Sequence, residues 1–315
     1  MPAAYAHIMA TDRALGRFRA EASIELPLRN AGLHFSHFAR LGAISPDYPY
    51  LDFPAPAQKA WADHMHYDQT GDMIRTMAER LLEVKGGGVE RPEFGIPFAW
   101  TLGYIGHVTA DLVVHPVVRN IVGDYLGHEP DHRECEMIQD TYIYHEVRGG
   151  AEIQHSALLD TLKNCSDPAN ADRIHPILRA FWSEVFRRHF PEQFGACPPA
   201  IDEWHDRYED FLGLAGRPGF LGRVLDPKHK YTYRLTTEIT AAERTRSIDA
   251  LPLPTGITGT YQTLFEKAVR EVTAQWLSLA RGLATGKLDA FLSGTLNCNL
   301  DTGETIGLPK LRYWA

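Results

Sequence analysis

No window of this sequence approaches 18 consecutive apolar residues, so nothing in it reads as a membrane-spanning helix. Cys135, Cys165, Cys197 and Cys298 lie far apart and form no C-x-x-C pair. That excludes a zinc knuckle and a dithiol redox motif and leaves four free packing thiols. Basic residues are outnumbered: 32 Lys+Arg against 40 Asp+Glu give a formal net charge of -8, which argues against a broad nucleic-acid or anionic-lipid footprint. Gly86-Gly87-Gly88 is followed by no Lys-Ser/Thr, so it is a breaker and not a phosphate-binding loop. Strand signals are scarce, and repeats, heptads and low-complexity tracts are missing. The first residues carry no basic stretch leading into an unbroken apolar one, so no secretory signal is visible. The expectation is a cytoplasmic protein as encoded, with export by a route independent of a signal peptide left open.

What the chain has is length for a large core, with 315 residues of which 44% are hydrophobic, and 15 histidines, the commonest metal-binding side chain. Three ligand-type residues stand in the apolar stretch from Ala99 to Val118: His107, Asp111 and His115. On a helix each step of four residues advances only about 40°, so the three share one stripe. Polar groups on a stripe of an otherwise apolar helix need a buried partner, and for imidazole plus carboxylate a divalent cation such as zinc is a suitable one. The competing reading is a helix whose histidines are satisfied by hydrogen bonds. A second stripe follows, His132, Glu136 and Asp140, on a helix starting near Asp131.

Elsewhere helices are expected over His7 to Phe18, Pro27 to Leu41, and Ala57 to Val84. The C-terminal half reads as helices near Gly150 to Leu162, Ala171 to Phe190, Ala200 to Leu214, Thr240 to Leu251 and Tyr261 to Gly282. Pro/Gly-rich joints fall at 195–199, 216–219 and 251–259, and a polar tail follows Leu296, packed by Leu311, Tyr313 and Trp314. His7 is the only ionisable residue among its neighbours and should turn inward. Prolines on both sides of Asp47-Tyr48 aim the Asp47 carboxylate. His64 and His66 lie about 200° apart on a helix, so at most one faces a shared site. His145 and His205 fit no stripe.

Pro46-Asp47, His66-Tyr67, His107-x3-Asp111-x3-His115 and His132-x3-Glu136, in that order, resemble the zinc-dependent phospholipase C family, whose helical fold is shared with zinc-dependent single-strand nucleases. The resemblance runs from His7 to about Tyr144. It implies an all-α, multi-helix bundle with a polynuclear cleft holding two or three Zn2+ ions. Asp47, His66, His107 and Asp111 would hold one ion; His115, His132 and Glu136 a second; His7 and a bridging Asp111 would belong to a third. Asp47 is the candidate general base, and His64 a neighbour of the cleft or a substitute for His66. On this reading residues 1–220 form the catalytic region and 221–315 a helical extension packed on it as one compact domain.

The expected activity is hydrolysis of a phosphodiester by metal-activated water, releasing diacylglycerol and a phosphorylated head group from a glycerophospholipid. The expected partners are a phospholipid or small phosphodiester substrate and a transient membrane-surface contact, with no stable nucleic-acid partner. The enzyme alternative is a single-strand nuclease or other soluble phosphodiesterase, stacking bases on Tyr48, Tyr50, Trp61 and Tyr67. The non-enzyme alternative is a metal-stabilised helical binding protein.

Overall fold

The protein was analysed as a computed structural model, which describes residues 4–51, 56–215 and 233–314. The sequence-predicted joint at 216–219 and the division at 220/221 lie outside these residues. Among the described residues the architecture is helical, and strands occur only as three small antiparallel hairpins.

The helix around which the others pack is α6, Pro92–Val122. It starts with Pro92 at its first position, where the missing N–H is not needed, and stops at Gly123 with φ +97. Its residues are buried around nearly the whole circumference, as expected for a helix without a polar face. Pro97 and Pro116 lie inside it and free the carbonyls of Glu93 and Leu112 from helical bonding. Around α6 pack α1 (Ala4–Ala20), α2 (Leu26–His34), α3 (Ser36–Gly42), α5 (Thr70–Val84), α7 (Glu129–Val147), α9 (Pro176–His189) and a long C-terminal helix, Tyr261–Thr285.

The approach of α3 to α6 is at backbone distance. A Cβ on Gly103 would stand 1.9 Å from the Ala39 carbonyl oxygen, and one on Gly42 would stand 2.1 Å from the Trp100 carbonyl oxygen. Only glycine permits that contact, and it brings the end of α3 beside His107. The turn after it, Ser45–Leu51, is a 3-10 helix. Trp100 Nε1 donates to Ser45 Oγ (2.8 Å), which donates to the Leu41 carbonyl (2.7 Å), so the turn bearing Asp47 is tied to α6.

Several sequence-predicted elements change on folding. The expected Pro27–Leu41 helix breaks at Phe35, whose ψ of 25 is not helical. The expected Ala57–Val84 helix is α4 (Pro56–Asp63), a wide π turn (His64–Asp68) and then α5. Asn170–Ile174 is a strand paired with Ser166–Asp167 where helix was expected, and α9 starts only after it, at Pro176. Thr240–Leu251 reduces to a helical turn (Ala241–Arg244) and a π turn (Thr245–Asp249). The joint at 251–259 contains a hairpin, and the tail after Leu296 contains another, Cys298–Asn299 with Glu304–Thr305.

Candidate metal centre

Asp111 stands at the middle of the site. Its Oδ2 is 3.1 Å from His107 Nε2, one turn back on α6. Its Oδ1 is 3.3 Å from His115 Nε2, one turn forward, and 3.2 Å from His7 Nε2, brought in by α1. The turn after α3 supplies Asp47, with Oδ1 3.2 Å from His66 Nε2 and Oδ2 3.8 Å from His107 Nδ1. Glu136 Oε1, from α7, lies 3.1 Å from both His115 Nε2 and His132 Nε2. All eight side chains are buried.

Three sets, two of them sharing His107, have ligand atoms close enough to surround a metal ion: Asp47, His66 and His107; His115, His132 and Glu136; and His7, His107 and Asp111. The third set differs from the expected assignment in drawing on His107, because the His7 and His107 rings stack with centroids 4.3 Å apart.

The outward hydrogen bonds test whether these groups suit cations. His107 Nδ1 donates to the Ala43 carbonyl (2.9 Å), His66 Nδ1 to the Ala62 carbonyl (2.7 Å) and His115 Nδ1 to the Leu300 carbonyl (3.0 Å). A carbonyl only accepts, so each Nδ1 carries a proton, and Nε2 is the nitrogen that each ring turns inward, the one a cation would take. His66 Nε2 and His107 Nε2 then face one another at 3.4 Å. Asp47 Oδ1, itself buried, has no hydrogen-bond donor. Lone pairs and carboxylate oxygens pointing at one another require a positive charge between them, and nitrogen plus oxygen donors are a set that zinc accepts.

Without a cation, protons do part of this work. Burial pulls the His115 imidazole down, but the Asp111 and Glu136 carboxylates outweigh it and push it up to about 10. Burial likewise raises Asp111 and Glu136, and the neighbouring histidines overcome this and hold both below the usual carboxylate range. His115 therefore adds stability to the metal-free protein that is complete below about pH 6.5 and lost as pH rises through 10. If His115 holds zinc, the ion has to displace that proton. Binding is expected to release it to solvent, and zinc affinity to rise about tenfold per pH unit below the His115 value. Calorimetry in buffers of different ionisation enthalpy checks this; affinity independent of pH between 6 and 9 would contradict it.

Other sequence-singled residues are placed elsewhere. Asp140, third on the α7 stripe, turns from the pocket to the start of α1, where its two oxygens accept the N–H groups of Tyr5 (3.0 Å) and Ala6 (2.6 Å) and the Tyr233 hydroxyl (2.6 Å). His64 points away from His66, stacking on Phe190 and bonding Asp68 and Gln193. His145 meets Thr236, and His205 meets Ser166 and Glu209. Tyr48 and Trp61 are fully buried, so neither can stack a base; Tyr50 and Tyr67 remain beside His66. Leu300 and Asp301 were not legible as site residues. Asp301 accepts the Tyr67 hydroxyl at 2.9 Å and adds negative charge near His115.

Fold and site together define an all-helical protein with clustered, buried imidazole and carboxylate groups of cation-binding composition. The family model for zinc-dependent phospholipase C matches residues 6–192, and the chain belongs to that family. The match extends well past Tyr144, where the sequence resemblance was seen to end. No curated protein and no solved structure matches the chain. Among the described residues no helix is long and apolar enough to cross a membrane.

Proposed function

We propose that the protein is a zinc-dependent phosphoric-diester hydrolase that cleaves a glycerophospholipid to diacylglycerol and a phosphorylated head group. The observation that carries this reading is the set of inward-facing Nε2 atoms, fixed by carbonyl acceptors behind His66, His107 and His115, around Asp47 and Asp111. Asp47, His66 and His107 would hold one ion, His115, His132 and Glu136 another, and His7 with the shared Asp111 a third. Bound zinc supplies polarisation of the phosphoryl oxygens and hydroxide near neutral pH.

Asp47 is assigned as general base, since its unpaired Oδ1 can take the proton of the attacking water. The water oxygen bonds to phosphorus while the bond to the glycerol oxygen breaks, and the proton taken by Asp47 passes to that oxygen to give the diacylglycerol hydroxyl. Ala6, Ala10, Ala110, Val114, Phe265 and Ala268 line a cavity beside Asp111, His115 and Glu136. Such apolar walls exclude water and strengthen electrostatic interactions within the site.

The test is direct. Zinc-loaded protein should release phosphorylated head group from phosphatidylcholine in mixed micelles and leave single-stranded DNA intact. Cleavage of DNA without lipid would move the reading to a nuclease. Stoichiometric zinc with no hydrolysis of either would make the protein a metal-stabilised binding protein.

A further inference from the structure

The family match ends at residue 192, yet the carbonyl behind His115 belongs to Leu300, far outside the matched segment. The N–H of the same residue donates to the His66 carbonyl at 3.0 Å. One residue of the C-terminal tail thus touches two ligand-type histidines, each from a different one of the metal-type sets. Leu300 sits in a tight turn: Gly303 N–H donates to the Asn299 carbonyl (2.9 Å) and Thr302 N–H to Asn299 Oδ1 (3.1 Å).

The turn is fastened on both sides. Asn297 Oδ1 accepts the N–H groups of Gly71 (2.8 Å) and Asp72 (2.9 Å) at the start of α5. Cys298 N–H donates to Thr70 Oγ1 (2.8 Å), which donates back to the Cys298 carbonyl (3.0 Å). On the α6 side, a Cβ on Gly303, whose φ is +74, would lie 2.4 Å from Pro116 Cγ and 3.2 Å from the Leu112 carbonyl oxygen, the oxygen that Pro116 leaves without a helical donor.

We propose that the 297–306 turn is a positioning element of the metal centre, with Leu300 aiming His115 through its carbonyl and the His66 turn through its N–H. The proposal rests on the zinc reading above. Outer acceptors fix a ligand ring's tautomer and direction, and losing one typically lowers metal affinity about 10–100-fold. Coupling is reciprocal, so zinc must in turn tighten the turn.

Two measurements test this on the whole 315-residue chain. Gly303→Ala should lower zinc affinity at one site about 10–100-fold. Gly307→Ala is its control: φ there is +81, giving comparable backbone strain, but no atom lies within 4 Å of the added Cβ, and zinc binding should match wild type. In wild type, hydrogen exchange over 297–306 should slow at least about tenfold on adding zinc. Equal zinc affinity in both variants, or exchange indifferent to zinc, overturns the proposal, and the exchange measurement decides if Gly303→Ala does not fold. Wild-type protein that binds no zinc overturns both this and the zinc reading; zinc bound with an indifferent turn overturns the positioning role alone.

Discussion

Asp111→Ala is expected to lower phosphodiester hydrolysis by well over about 100-fold, beyond the effect of losing an outer partner, and to reduce bound zinc. The reason is its position: its two oxygens lie within 3.3 Å of Nε2 of His107, His115 and His7. Truncation leaves three buried imidazoles sharing no carboxylate, so the sites that depend on it lose both charge and geometry. His107→Ala should follow the same pattern, since His107 belongs to two of the three metal-type sets. His145→Ala, at a residue bonded to Thr236, is the control and should keep full zinc content. Elemental analysis of purified protein decides the matter, and an Asp111→Ala protein with unchanged metal stoichiometry would refute the assignment.

The second large effect is expected at Asp140. Three donors converge on its buried carboxyl, two of them N–H groups in the first turn of α1 that have no helical acceptor. Asp140→Ala leaves all three unsatisfied and should destabilise the protein by about 3–5 kcal/mol, seen as a lowered thermal midpoint. Burial pushes the Asp140 carboxyl up to about 7, against the pull of those donors. A raised carboxyl contributes stability that is lost as pH rises through that value, so the melting difference between variant and wild type should be larger at pH 6 than at pH 8. His7 follows on the same turn, so the variant should also bind less zinc than Asp140→Asn, which keeps an acceptor. A midpoint within a degree or two of wild type would show that the α1 start is held by other contacts.

The parts of the site that were legible are those written along one helix. His107, Asp111 and His115 keep their spacing because α6 is continuous, and His132 and Glu136 keep theirs on α7. The stripe rule overreached at Asp140, since a second step of about 40° on α7 carries the side chain off the pocket and toward α1. His66 and His64 were separable by angle, but which one enters the pocket depends on the π turn, a local widening with no sequence signature. Likewise Ala43, Ala62 and Leu300 act through carbonyls, which every residue possesses, so no residue type could announce them. The tail read only as a polar, packed segment, since what it sets against His66 and His115 is a backbone N–H and a backbone carbonyl.

Since His107, Asp111 and His115 ride a single unbroken α6, the length of chain between them cannot drift. Inserting or deleting one residue there would swing a ligand about 100° around the axis, whereas the segments joining α6 to the Asp47 turn, to α7 and to the Leu300 turn can lengthen without moving any ligand relative to its own element.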